Sequence, residues 1–173
     1  MYRTGDVIDK KYQVVGICSN YGGMGTILFV THQKNIFPFQ VVLKYCKSID
    51  EEQIKRFRRE VKMLASFTGN SKIVQIVDAN LDYDLPYFVM KYYQNGDLMN
   101  LIPTLSTSIE AQESVFLHMI DCIQELHSRN NFHRDIKPQN FLVDGTQIVV
   151  SDFGLSTEID SNSSLTRSSV YWG

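Results

Sequence analysis

From His133 to Asn140 the chain reads His-Arg-Asp-Ile-Lys-Pro-Gln-Asn, and Ser151-Asp152-Phe153-Gly154 follows shortly after. Two acids, basic residues and carboxamides are gathered here beside a glycine turn. Pro138 keeps the first segment from running on as helix, so a rigid loop is expected. Its flanks, Phe141-Leu142-Val143 and Ile148-Val149-Val150, read as two short strands around a turn at Asp144-Gly145. A hairpin of that kind brings Asn140 and Asp152 together, two oxygen ligands for a hard divalent cation. Asp135 then sits beside the same place, free to accept a proton. Carboxylate and carboxamide oxygens completed by substrate phosphates are the usual setting of Mg²⁺.

These residues need a scaffold, and the upstream sequence supplies one. Tyr12 to Ile17 and Thr26 to Thr31 read as paired strands. Between them Asn20-Tyr21-Gly22-Gly23-Met24-Gly25 holds three glycines in four positions, so backbone N–H groups can approach a phosphate without interference from Cβ. Taken alone, such a stretch is equally an ordinary turn. Gln40-Val41-Val42-Leu43-Lys44-Tyr45 is a further strand carrying one charge. A lysine in that position is ordinarily solvated surface.

The next segment changes that reading of Lys44. A helix is expected from Asp50 to Phe67, opened by Asp50 with Gln53 three residues on, in the manner of a capping box. Phe57, Val61 and Leu64 form its apolar stripe, and Glu60 falls on the same face. A carboxylate within a packing face is costly unless it meets a cation, and Lys44 is the obvious candidate. Ile73 to Val77 and Tyr87 to Met90 read as two more strands around a polar turn, completing a five-stranded antiparallel sheet with one helix. The longest helix is expected from Ser108 to Arg129, with Val115, Phe116, Met119, Ile120, Ile123 and Leu126 on one core-facing stripe. His118 and His127 on that helix lack metal-type spacing and read as structural or exposed.

The motif His133-Arg134-Asp135-Ile136-Lys137-Pro138-Gln139-Asn140 with Asp152-Phe153-Gly154 resembles the catalytic loop and DFG segment of protein kinases. Lys137, two places after the aspartate, resembles the serine/threonine branch, eukaryotic-like (Hanks-type). The resemblance implies an α+β, two-lobe protein-kinase-like fold. Its expected boundaries are an N-lobe over 1–91, a hinge over 92–97, and a partial C-lobe over 98–173. The likeness runs to Gly173, ahead of the family's Ala-Pro-Glu motif, so only the first part of the helical C-lobe is expected, and the long helix is expected to keep an uncovered apolar face.

For the site, the resemblance implies ATP and Mg²⁺ as cofactors and a protein Ser/Thr hydroxyl as acceptor. Asp135 would orient the hydroxyl and take its proton, and Lys137 would neutralise the transferring group. Asn140 and Asp152 would hold Mg²⁺. Lys44, paired with Glu60, would position the phosphates beneath a loop of Asn20, Gly22, Gly23 and Gly25. Asn20 stands where the family has its first glycine, which loosens the expected hold on nucleotide. Met90 would be the gatekeeper, Tyr93 would offer backbone groups to adenine, and Asp97 would reach the ribose or else cap a helix. Lys91 departs from the acid common in the family. His133 would be a scaffold residue rather than a general base.

Composition sets the surroundings. A net charge of −2 gives no basic field for nucleic acid or anionic membrane. Cys18, Cys46 and Cys122 lack metal-type spacing and read as free thiols of a reducing compartment, so a cytoplasmic setting without a membrane segment is expected. Any dimer is expected through the N-lobe. From Ser156 to Ser169, eight of fourteen positions are Ser or Thr, which fits a flexible loop and, by resemblance, an activation loop with Thr166 and Ser168 as phosphorylation sites facing Arg134. Two alternatives stand beside the active kinase: an inactive truncated kinase or pseudokinase that binds ATP, and a protein-interaction module.

Overall fold

A computed structural model describes residues 1–19, 25–48, 50–105 and 108–158. Its first half is an antiparallel sheet built from β1 (Val7–Ile8), β2 (Tyr12–Ser19), β3 (Gly25–His32), β4 (Val41–Cys46), β5 (Ile76–Asn80) and β6 (Tyr87–Lys91), in the order β1-β2-β3-β4-β6-β5. The five expected strands are present, and the two-residue β1 adds a sixth by pairing Val7 with Gln13 and Ile8 with Tyr12. All six residues of β4 are buried. The reason lies in the period-2 alternation of a strand with a core on each face. Val41, Leu43 and Tyr45 pack with Ile8, Tyr12 and Leu28 on one side, while Val42 and Cys46 join the larger core on the other.

Helix α1 (Glu51–Ser66) packs on that second side through Phe57, Val61 and Leu64. Asp50 caps it, its Oδ1 accepting from Glu52 N–H at 2.7 Å and Gln53 N–H at 3.2 Å. Only half of the capping box forms, because the Asp50 N–H donates to Ser48 Oγ at 3.0 Å instead of to Gln53. β5 begins three residues later than the sequence suggested. Ile73 and Val74 are taken by the second half of the molecule: Ile73 bridges Val150, the Val74 N–H donates to the Val150 carbonyl, and the Val150 N–H donates to that of Lys72. The more polar Ile76–Asn80 then supplies the edge strand.

After a 3₁₀ turn at Leu98–Asn100 come α2 (Ile102–Leu105), α3 (Ile109–His127) and β7 (Asn131–Phe132). A second 3₁₀ turn over Pro138–Asn140 leads into β8 (Phe141–Asp144), β9 (Gln147–Val150) and β10 (Thr157–Glu158), which pairs with β7. β8 and β9 form the expected hairpin, Phe141 opposite Val150, with Gly145 at φ 60° in the turn. Ser108 caps α3. The stripe assigned to this helix needs correction. Cys122 and Leu126 are buried, and Val115, Met119 and Ile123 pack beside them, but Phe116 is 61% exposed and Ile120 36%. The helix meets the β8–β9 hairpin along the 115, 119, 122, 126 line, where Cys122 Sγ reaches the Ile148 carbonyl. Residues 116 and 120 lie a further ~100° round the helix, off that contact. Among the described residues no helix is long and apolar enough to cross a membrane.

Candidate active site

A cleft of about 730 Å³ lies between the sheet and the β8–β9 hairpin. Its apolar walls include Ile27, Val42, Val74, Met90 and Leu142. Its polar groups are Lys44, Glu60, Asp97, Lys137, Asn140 and Asp152. Of the sequence-derived residues, Gly25 and Tyr93 also line it, while Asp135 stands directly behind Lys137 and Asn140. Asn20, Gly22, Gly23, Thr166 and Ser168 lie outside the described residues.

Two charged clusters face each other across the cleft. On the sheet side, Lys44 Nζ lies 2.6 Å from Glu60 Oε1 and 3.8 Å from Asp152 Oδ1. Val42 and Lys44 share a face of β4, so the lysine points where the core residue below it points. Burial disfavours the charged lysine, but Glu60 and then Asp152 outweigh it and hold the ammonium above the usual lysine range. Glu60 is 2% exposed, and burial pushes its carboxyl up against the opposing pull of Lys44. Its second oxygen, Oε2, is buried without a hydrogen-bond partner among the described residues. Gly25 makes room for this arrangement. A Cβ there would lie 2.9 Å from the Tyr45 carbonyl oxygen and 3.2 Å from Lys44 Cγ.

On the hairpin side, Lys137 Nζ donates to Asp135 Oδ2 at 2.7 Å. Asn140 Nδ2 donates to the Asp135 carbonyl at 2.8 Å and to its Oδ2 at 3.1 Å. The hydrogen bond from Lys137 is the main reason the Asp135 carboxyl is held below the usual range. Asp135 therefore carries negative charge with a cation at hand. With Asn140 Nδ2 engaged, its Oδ1 is the atom left to serve as a ligand. Asp152 stays 46% exposed at the cleft. Among the described residues no group of three or more His, Cys, Asp or Glu could hold a metal ion. One carboxylate and one carboxamide oxygen suit a Mg²⁺ that keeps water and phosphate oxygens as its other ligands. A nucleotide with Mg²⁺ fits these residues: cations, oxygen ligands and apolar walls converge, and the Asp97 Oδ1 is buried at the cleft without a hydrogen-bond partner among the described residues. Asp97 does not cap the 3₁₀ turn that follows it, since its side chain makes no capping hydrogen bond.

The backbone holding this cluster is itself constrained. Arg134 and Asp152 both have left-handed φ, 63° and 60°. His133 is buried, its Nε2 at 2.8 Å from the Ser151 carbonyl oxygen and its Nδ1 facing the Asp135 N–H at 3.3 Å. The ring fits as a neutral imidazole, donating through Nε2 and accepting at Nδ1, and burial pushes its pKa down. It joins the Asp135 loop to the segment leading into Asp152. His118 and His127 stand apart: His118 Nδ1 contacts its own helix at Ser114, and His127 stacks on Phe132.

Of the apolar walls, sequence reasoning named Met90 and missed Ile27, Val42, Val74 and Leu142, and it missed the partner of Lys91. Leu142 was within reach of it, because strand alternation places residues 140 and 142 on one face. The Lys91 ammonium instead meets Asp144 Oδ2 at 2.7 Å, a contact with no local sequence signal.

Comparison with known proteins shows the family. The protein kinase domain profile matches residues 20–172, and the chain belongs to the protein kinase family. It is 31% identical to CBL-interacting protein kinase 10 of Oryza sativa subsp. japonica, over 88% of this chain and 34% of that protein. It is 32% identical to the serine/threonine-protein kinase ksp1 of Schizosaccharomyces pombe, over 87% and 34% respectively. For the serine/threonine-protein kinase PrkC of Bacillus subtilis the identity is 31%, over 96% of this chain and 26% of PrkC. The chain spans about a third or less of the length of these relatives.

Proposed function

We propose that this chain carries the nucleotide site and catalytic loop of a serine/threonine protein kinase, moving the γ-phosphoryl group of ATP to a protein Ser or Thr hydroxyl. The observation that carries the reading is the meeting of two preset clusters at one cleft, Lys44–Glu60–Asp152 and Asp135–Lys137–Asn140. In this reading residues 1–91 are the N-lobe, 92–97 the hinge and 98–173 the first part of the C-lobe.

Each residue has a task set by its charge and position. Lys44, held charged by Glu60, orients the α- and β-phosphates. Asn140 Oδ1 and Asp152 would hold Mg²⁺, which would supply positive charge to offset that of the phosphates. Asp135 accepts a hydrogen bond from the acceptor hydroxyl and takes its proton as the new O–P bond forms. Lys137 stabilises the equatorial oxygens. Catalysis of this type is mainly positioning and electrostatics. The base packs between Ile27, Val42 and Leu142 beside Met90, the hinge backbone at Tyr93 reads its edge, and Asp97 Oδ1 accepts from a ribose hydroxyl. Phosphorylation of Thr166 or Ser168, paired with Arg134, is the regulation this reading includes.

A thermal melt with and without Mg·ATP, run beside Asp152→Asn, tests it. Ligand at one hundred times its Kd stabilises by about 2.7 kcal/mol, a readily visible shift. The rise is expected in the unaltered chain and lost in the variant. Transfer of labelled phosphate then separates a kinase from a module that binds nucleotide without transferring it. A cooperative melt indifferent to Mg·ATP defeats the nucleotide reading.

A further inference from the structure

The hinge and the β8–β9 hairpin are tied at two separate points. One tie holds residues 95 and 96. The Asn95 N–H donates to the Val143 carbonyl at 3.1 Å, the Val143 N–H donates to that of Gly96 at 2.9 Å, and Asn95 Oδ1 accepts from the Gly145 N–H at 2.8 Å. The other tie is made of side chains. Lys91, the last residue of β6, reaches Asp144, the last of β8, with Nζ 2.7 Å from Oδ2. The same ammonium lies 5.5 Å from the centroid of the Tyr93 ring, whose side chain is buried. Lys91 and Asp144 are each about a quarter exposed, at 28% and 27%, so water screens the pair only in part.

The location gives the pair its meaning. β8 starts directly after Asn140, and β9 ends two residues before Asp152. The hairpin therefore sets where both metal-type ligands stand, while the strand ending in Lys91 sets where the hinge backbone stands. We propose that the Lys91–Asp144 ion pair is a positioning device. It fixes the spacing between the hinge, which holds the base, and the hairpin, which holds the phosphate-bound metal. Neither residue touches the reacting atoms. The inference rests on the nucleotide reading of the cleft given above.

A spacing device of this kind matters only to a ligand that spans both anchors. ATP with Mg²⁺ spans them; adenosine reaches the hinge and the cleft wall at Leu142 but neither metal-type ligand, and Mg·triphosphate uses the hairpin side and Lys44 alone. The test measures Kd for these three ligands in the unaltered chain, in K91M, in D144N and in the exchanged pair K91D/D144K. Each single variant is expected to bind Mg·ATP about fivefold more weakly. Mg·triphosphate is expected to bind as before and adenosine to lose much less than Mg·ATP, and the exchanged pair to regain most of the loss. Should K91M fail to fold, the near-isosteric D144N carries the comparison by itself. Unchanged Mg·ATP affinity in the single variants overturns the inference. An equal weakening of all three ligands overturns it too, since that reports a general loosening of the fold. An unaltered chain that binds none of the three overturns the nucleotide reading and this inference with it.

Discussion

Lys44 and Glu60 meet at 2.6 Å inside the molecule, the lysine from the centre of a strand and the glutamate from the packing face of a helix. Both are nearly excluded from water, at 9% and 2% exposure. Removing one partner strands the other. Lys44→Met is expected to destabilise the chain by about 3–5 kcal/mol. The double variant Lys44→Met/Glu60→Leu is expected to recover most of that loss, because a well-packed apolar pair of similar volume replaces the ions. Urea unfolding of the two variants checks this. Equal losses in both would mean that the pair does not couple.

His133 gives the stability a defined pH dependence. Burial lowers its folded-state pKa below the unfolded value of about 6.5, so the unfolded chain takes up the proton first as pH falls. This contribution to stability is therefore complete above pH ~6.5 and is lost as pH falls towards the lowered folded-state pKa. In that window the slope is at most about 1.4 kcal/mol per pH unit. Chemical denaturation between pH 7 and 5 should show the decline, and His133→Gln should flatten it.

Gly25 is the position where an added methyl group meets backbone. Its Cβ would lie 2.9 Å from the Tyr45 carbonyl oxygen, which the β3–β4 pairing holds in place. Gly25→Ala is expected to cost about 1–3 kcal/mol. It should also weaken Mg·ATP binding, because Lys44 Cγ and Cε crowd the same methyl group at 3.2 and 3.3 Å. A melt combined with a nucleotide titration reads both effects.

Among the described residues Asp97 Oδ1 is buried without a hydrogen-bond partner, and Asp97 lines the cleft. In the proposed reading a ribose hydroxyl would supply the missing donor. Asp97→Ala is expected to weaken Mg·ATP about tenfold, in keeping with the roughly 1.5–3 kcal/mol of a hydrogen bond to a charged group. Binding of a triphosphate whose ribose lacks both hydroxyls should change little. Equal losses for the two ligands would assign Asp97 a purely structural part.

Much of this arrangement was legible in the sequence, for local reasons. Glu60 announced itself as a charge on an apolar helical stripe, and Lys44 as the nearest cation on a buried strand. The turn at Asp144-Gly145 fixed the hairpin that carries Asn140 towards Asp152. What escaped depended on distant partners. Ile73 and Val74 have the composition of a sheet strand, yet they join Val150 and leave the strand to Ile76–Asn80. Phe116 and Ile120 share a broad apolar arc with Met119 and Ile123, and only the docking angle of α3 on the hairpin decides which side is covered. Lys91 carried no local hint of Asp144.

Arg134 and Asp152 leave a last consequence. Both adopt a left-handed backbone that Cβ makes less favourable, and glycine would take up either position without steric objection. Conformational preference therefore argues against the residues found there. Their identities convey information that the chain's path through space does not require, and that information is chemical: a carboxylate at the cleft in one case, an exposed guanidinium next to Asp135 in the other.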